Sequence, residues 1–285
     1  MNVRASLEER YRVRLRPVRE GSEARVYRAD DKVFKVFGQG ERHLAEKEAE
    51  NMAKAGLQSY LVQVLELEGH GVLVLKRFPG KPFSREGFDQ AKLEALAETF
   101  RRLHAMQEAG VSSRSKLEER LVLFEGALEG LEITSPNGLS EAALPLLDKL
   151  RGHLDEVSGI PFAFCHNDPW AGNVLLKDKD APQTCPEVLL VDWGRAGGED
   201  PARDLAILKT GSLDLLGTEA ANAALKQIVG TYPDKAGLWR RLRFYVPLTY
   251  LHDLYWFNAK QPGGFLPAAR EKLPLAISFY HSFAD

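Results

Sequence analysis

CHNDPWAGNVLL at residues 165–176, followed by VLLVDWGRAGGEDPARDLA at 188–206, decides the reading of this chain. NVLL and VLLVDW are short apolar runs of strand type, and the polar, proline-containing KDKDAPQTCPE between them has the character of a hairpin connection. Asp168 and Asn173 stand five residues apart at the mouth of the first strand and Asp192 ends the second, so a hairpin brings the three together. Oxygen-bearing side chains gathered in this way suit magnesium, with phosphates and water completing its octahedron. His166-x-Asp168-x4-Asn173 with the later Asp192-Trp193-Gly194 follows the logic of phosphoryl transfer, in which the first aspartate orients or deprotonates a hydroxyl and the other two residues hold metal. An isolated His-x-Asp is common by chance; the ordered combination carries the reading.

Upstream, the first 80 residues read as short strands with one helix. VREGSEARVYRAD and KVFKVF flank a turn at Asp30-Asp31, and LVQVLELEGHGVLVLKRF reads as two strands joined at Gly69-His70-Gly71. Between them ERHLAEKEAENMAKAG is a helix ended by Gly56. Leu44, Glu48 and Met52 share one face of that helix, and an acid within an apolar stripe is costly unless paired. Lys35, mid-strand in VFKVF, is its natural partner; Glu46 and Glu50 fall off the stripe. A lysine so held is what contacts nucleotide phosphates in kinase-type sites. Gly21-Ser22 opens a turn where backbone amides approach phosphates.

Past Phe78-Pro79-Gly80 the pattern becomes helical, with stripes at Leu93, Leu96, Ala97, Phe100, Leu103, at Leu117, Leu121, Phe124, Leu128, Leu131, and at Ala143, Leu147, Leu150, Leu154, Val157. Everything after Asp200 reads as helix. His104 reads as a buried or hydrogen-bonded helix histidine.

Together these residues resemble the aminoglycoside phosphotransferase and choline kinase-like family, small-molecule kinases of the protein-kinase-like fold. The resemblance covers most of the chain and implies an α+β, bilobal architecture: a small antiparallel sheet lobe with one helix (1–78) that binds nucleotide, and a larger, mainly helical lobe (79–285) for catalysis and acceptor binding. By similarity Asp168 is the catalytic base, Asn173 and Asp192 are magnesium ligands, and Lys35, paired with Glu48, contacts phosphate. Gly21 and Ser22 resemble the nucleotide loop, and the backbone around Arg77 and Phe78 the hinge that bonds adenine. Asp204, in Asp200-Pro201-x2-Asp204-Leu205-Ala206, braces the catalytic loop, beneath which His166 packs. The implied cofactor is Mg²⁺ and the implied donor is ATP, with GTP as the alternative, since Gly21 stands without a second glycine. The usual loop is closer to HGDLHPGN. Asn167 and Pro169 depart from it without touching the chemical positions, whereas Trp170 places a large ring near the metal and is similar to the fructosamine kinase branch.

Composition limits the remaining choices. The 285 residues carry 38 Lys+Arg against 40 Asp+Glu, a net charge of −2, so the basic footprint of a nucleic-acid binder is missing. No run approaches the roughly 20 apolar residues of a membrane span, and the N-terminus lacks a signal-peptide core, so a cytoplasmic protein is expected. Cys165 and Cys185 have no metal-ligand spacing and read as reduced, incidental thiols. Only seven residues separate Asp192 from Asp200, too few for a segment that docks a peptide, which makes the expected acceptor a small hydroxylated molecule. No protein partner is implied. Residues 1–80 hold 15 basic and 12 acidic residues, leaving 23 and 28 for the rest, or +3 against −5. The acidic excess and the aromatic helix YVPLTYLHDLYWFNAK suit an aminoglycoside or an amine metabolite, with Trp170, Asp253 and Trp256 as candidate acceptor contacts. A ketosamine kinase and a catalytically silent nucleotide-binding scaffold are the competing readings.

Overall fold

The computed structural model describes residues 2–20, 24–132, 139–178, 186–260 and 262–282. It begins with helix α1 (Val3–Tyr11), followed by strands β1 (Arg16–Glu20), β2 (Ala24–Ala29) and β3 (Lys32–Gln39), helix α2 (Arg42–Lys54), and strands β4 (Leu61–Leu67) and β5 (His70–Lys76). The strands form one antiparallel sheet in the order β1-β2-β3-β5-β4. Asp30, at φ 44°, turns β2 into β3, and Glu68 and Gly69, at 52° and 74°, supply the two left-handed residues that a two-residue hairpin needs to match strand twist.

The period of two along β3 divides its side chains between two cores. Phe34 and Val36 join Tyr27, Ala29, Leu65, Val72 and Val74 under α1, whereas Phe37 and Leu73 join the main core with Ala45, Ala49 and Met52 of α2. The sheet therefore carries two helices where one was expected. The first shows no apolar stripe because only Val3, Ser6 and Leu7 of it are buried; it docks through that one turn and through Tyr11, whose ring meets the edge of Phe34 at 5.0 Å.

The rest of the chain runs through β6 (Lys81–Pro82), α3 (Gln90–His104), β7 (Gln107–Val111), α4 (Arg114–Glu132), α5 (Leu139–Gly152), α6 (Leu154–Val157), β8 (Pro161–Cys165), β9 (Val174–Lys177), β10 (Glu187–Leu190) and β11 (Gly197–Glu199), then helices α7 (Pro201–Gly211), α8 (Thr218–Gly230), α9 (Lys235–Lys260) and α10 (Pro262–Ser282). The α3 stripe is buried as read, as are Leu117, Leu121 and Phe124 of α4; Leu128 and Leu131 lie outside the described side chains. The third stripe is buried too, but a break at His153 splits it between α5 and α6. Burying one such side chain as completely as Phe100 contributes about 1.5–3 kcal/mol.

The expected hairpin is β9 paired with β10, Lys177 opposite Glu187 and Val174 opposite Leu190, and β6 extends it on the other edge. Asp192 lies two residues past β10 rather than at its end. A further sheet, in the order β11-β8-β7, carries the chain into the loop that holds Asp168. Its strands are too short, and GGE too poor in apolar residues, to give a periodic signal. The main core is continuous from Phe37 and Leu73 through α2 to α3, α4, α7 and α9, so sheet and helices are packed across one interior. No helix among the described residues is long and apolar enough to cross a membrane.

Candidate active site

Strand β8 delivers the chain directly into the loop at 166–173. Asp204 of α7, fully buried, receives the loop's first two backbone N–H groups, from His166 at 2.9 Å and Asn167 at 2.8 Å, and also the Nε2 of His104 at 3.0 Å. Burial alone raises a carboxyl, yet the His104 hydrogen bond and its neighbours hold Asp204 below the ordinary carboxylate value. His104 in turn meets the Tyr232 hydroxyl at 2.7 Å, which identifies the hydrogen-bonded helix histidine expected from sequence. Cys165, His104 and Asp204 lie close enough to hold a metal ion, but both ring nitrogens of His104 and both oxygens of Asp204 are engaged in hydrogen bonds. Burial pushes the Cys165 thiol up, which keeps it protonated; Cys185 lies outside the described residues.

His166 is wholly buried beneath the loop, its ring edge-on to Trp193 at 4.7 Å. Its Nε2 donates to the Val191 carbonyl at 3.0 Å, and burial depresses its pKa, so the ring is neutral. Seven residues on, Asn173 is buried and its Nδ2 donates to both the carbonyl and the carboxylate of Asp168, at 2.9 and 3.3 Å. Its own carbonyl accepts from Val191 N–H at 2.9 Å, joining the loop to the far end of β10.

Asp192 adopts φ 69°, ψ 63°, a left-handed backbone uncommon outside glycine and found where a site fixes a side chain. Its Oδ1 lies 2.6 Å from Lys35 Nζ, and Lys35 also reaches Glu48 Oε2 at 2.5 Å. The pairing read from the apolar stripe is thus present: Glu48 is 1% exposed at the centre of α2's inner face. Burial opposes charge on Lys35, but the carboxylates of Glu48 and Asp192 outweigh it and raise its pKa. Burial likewise pushes the Glu48 carboxyl up, against the pull of Lys35.

The candidate metal donors are all oxygens. Asn173 spends its amide nitrogen on Asp168, which leaves Oδ1 as the atom for a cation, and Asp192 offers a carboxylate. This set fits magnesium better than a softer metal.

The structure places other expected residues less centrally. Gly21 and Ser22 lie outside the described residues. The Arg77 N–H is committed to the Asp31 carbonyl at 2.7 Å, and Phe78 is buried with its ring edge-on to Tyr60. Asp253 pairs with Lys272 at 2.7 Å; burial raises its carboxyl, but His252 and Lys272 bring it below the ordinary value. Of the aromatic helix, Tyr245 and Tyr250 are core, whereas Trp256 is 42% exposed. Trp170 is 36% exposed and sits between two glycines: a Cβ on Gly172 would fall 2.2 Å from its ring and one on Gly211 2.9 Å from its own Cβ. Ser212, just past α7, donates to the Pro169 carbonyl at 3.0 Å and anchors the loop from below. Sequence reading missed Asn51 and the buried Lys209, which fall in no recognisable motif, and Arg203, an unspecified position within Asp200-Pro201-x2-Asp204.

Lys35 and Asp192, read from sequence as a phosphate contact and a metal ligand, are thus brought together in one site. The chain belongs to the phosphotransferase enzyme family, whose model matches residues 14–245. A search of the curated proteins returns no match. Among solved structures it is similar to a choline/ethanolamine kinase family protein from Mesorhizobium loti, with TM-score 0.66 and 22% identity over 94% of this chain and 88% of that one. It is also similar to the GDP complex of aminoglycoside 2'-phosphotransferase-IIIa, with TM-score 0.69 and 14% identity over 97% and 98%. A third is a thermostable aminoglycoside phosphotransferase APH(4)-Ia in ternary complex with AMP-PNP and hygromycin B, with TM-score 0.67 and 16% identity over 100% and 99%. These likenesses establish the protein-kinase-like fold.

Proposed function

We propose that this protein transfers the γ-phosphoryl group of ATP to a hydroxyl of a small molecule, with a nucleotide-binding lobe at 1–78 and a catalytic and acceptor-binding lobe at 79–285. The observation that carries the reading is the double engagement of Lys35, which meets Glu48 of α2 and also Asp192, 157 residues further along the sequence from Lys35. A buried ion pair alone is weak evidence of function. One that ends on Asp192, next to Val191 whose N–H bonds the Asn173 carbonyl of the loop that carries Asp168, serves a reaction.

Lys35 would release Asp192 to the cation and turn its ammonium to the phosphates, with Glu48 keeping it aligned. Bound magnesium would neutralise charge on the β- and γ-phosphates, held through Asn173 and Asp192. Asp168, kept in place by the Asn173 amide, would accept the hydroxyl proton late, because a loose transition state needs little base strength at the outset. The Arg77 carbonyl and the backbone at Phe78 are the hinge atoms left to meet adenine.

The acceptor is a small hydroxylated molecule, aminoglycoside-type antibiotic or amine metabolite, bound beside Trp170 and the outer face of α9 where Trp256 is exposed. Solved relatives hold GDP and kanamycin in one case and AMP-PNP and hygromycin B in another, which supports a nucleotide donor and a small polar acceptor. The test has two parts: thermal shift with Mg-ATP, Mg-GTP and EDTA controls, then labelled-phosphate transfer to aminoglycosides, macrolides, choline, thiamine, homoserine and ketosamines. Stabilisation that EDTA abolishes, with transfer to one acceptor class, is expected. Nucleotide binding with no transfer to any acceptor would favour a silent scaffold instead.

A further inference from the structure

The segment that follows Asp192 is held from two sides by asparagine side chains. Asn51, on α2, donates Nδ2 to the carbonyls of Trp193 at 2.8 Å and Ala196 at 3.2 Å. Asn167, in the catalytic loop, donates Nδ2 to the carbonyls of Arg195 at 3.2 Å and Gly197 at 3.4 Å. Four carbonyls within five residues are thereby tied, alternately, to the helix that carries Glu48 and to the loop that carries Asp168. With the last of them the chain enters β11, where Gly197 pairs with Cys165.

The amide of Asn167 has one orientation that suits its neighbours. Its Oδ1 accepts from Arg203 Nη1 at 3.0 Å, and Arg203 pairs with Glu199 at 3.2 Å, so Nδ2 must face the carbonyls. The backbone at Asn167 has φ 64°, a conformation that glycine adopts without cost and an L-residue adopts at some expense. Glycine is the usual residue in the loop this one resembles. A side chain kept at such a position, with all its polar atoms engaged, offsets that expense through its cross-links, so this departure from the usual loop is not neutral.

We propose that Asn51 and Asn167 are positioning residues that together clamp the 193–197 segment and so fix Asp192 for the cation. The clamp acts on a residue whose own left-handed backbone has little intrinsic preference for that shape, and it ties both halves of the site to one short segment. It rests on the phosphotransfer reading above. With only seven residues between Asp192 and Asp200, the segment has no spare length to move, and the clamp keeps it assembled before nucleotide arrives.

The experiment compares the wild type with Asn51→Ala, Asn167→Gly and Asn167→Asp. Asn167→Gly relaxes the backbone and removes the side chain. Asn167→Asp keeps the acceptor for Arg203 and loses both donations, and it serves if the glycine variant does not fold. Hydrogen exchange of the metal-free proteins reads the clamp directly: amides of 192–197 should exchange at least about tenfold faster in every variant, with the sheet at 24–39 unchanged. Magnesium titration of the thermal shift in the presence of AMP-PNP reads positioning. The half-saturating magnesium concentration should rise about 10–100-fold, as when residues supporting metal ligands are removed. Unchanged exchange with magnesium half-saturation within twofold of wild type overturns the proposal. Faster exchange with unchanged half-saturation also overturns it, reducing the asparagines to a structural tie. A wild type that takes up no magnesium nucleotide at all defeats instead the phosphotransfer reading on which it rests.

Discussion

Lys35 and Lys209 are two of the buried lysines paired with carboxylates among the described residues, and they differ in what they connect. Lys35 meets Glu48 and Asp192, residues from a sheet-packed helix and from the end of a distant hairpin. Lys209, 2% exposed in α7, meets Asp214 five residues along and the Tyr250 hydroxyl at 3.3 Å, with Tyr250 itself bonded to Asp214. Both satisfy the rule that buried charge must be paired. The local pair closes on itself and leaves every charge balanced, whereas the long-range one ends on a carboxylate with one-third of its side chain exposed, at the mouth of a loop. Burial and pairing therefore do not separate a site from a strut; the reach of the pair and the character of its last partner do.

The largest effect that could break this comparison is on turnover. Lys35→Met should lower phosphoryl transfer by about 10²–10³, the scale of losing one electrostatic contact to a developing anion, with the remaining Glu48 charge costing about 3–5 kcal/mol of stability. Adding Glu48→Leu should restore the stability, measured by urea unfolding, and leave turnover low; recovery of both would make Lys35 a strut like Lys209. Lys209→Met should cost about the same 3–5 kcal/mol by stranding Asp214, yet the protein that remains folded should keep kcat/KM within a few-fold of wild type. A hundredfold loss there would erase the distinction.

The loop beneath the site should sharpen it through pH. His166 is buried neutral and its pKa is depressed, so the unfolded chain binds a proton first and stability falls as pH drops below about 6.5. Asp204 is held below the ordinary 3.8, so the stability it supplies is present above that value and is lost as pH falls through its native-state pKa. Urea unfolding between pH 3 and 8 should show two acid stages, the first removed by His166→Gln and the second by Asp204→Asn. The smallest effect is expected at Gly211→Ala, where a methyl group pressed on Trp170 should cost about 1–3 kcal/mol and shift tryptophan fluorescence. Acceptor KM should rise while nucleotide KM stays unchanged.

How far the sequence disclosed all this follows from the range of each interaction. Glu48 was legible because a carboxylate within the Leu44, Met52 stripe demands a partner, and the ordered Asp168, Asn173 and Asp192 were legible because the loop and hairpin are local. Asp204 was placed only through resemblance, since its partners His104, His166 and Asn167 come from elements with no periodic relation to it. Helix α1 and strands β7 and β11 were missed because each buries too few side chains to leave a pattern, and β8 because its buried residues are consecutive in a run of only five. Asn167 was read as neutral: its sequence position shows an exchange for glycine, whereas its value lies in carbonyls of residues 195 and 197. On the aromatic helix composition left core and pocket both open, and burial divides them: Tyr245 and Tyr250 are core, Asp253 is paired with Lys272, and Trp256 is exposed.

The central claim is that Asp168, positioned by Asn173, is the base of a magnesium-dependent phosphoryl transfer. It is tested most directly by labelled γ-phosphate transfer to the preferred acceptor by wild type and Asp168→Asn, with thermal stability and Mg-ATP binding measured in parallel. The expected result is a loss of about 10²–10⁴ in kcat, the range of general base catalysis, with Mg-ATP binding retained. An Asp168→Asn protein that transfers phosphate at close to the wild-type rate would contradict it.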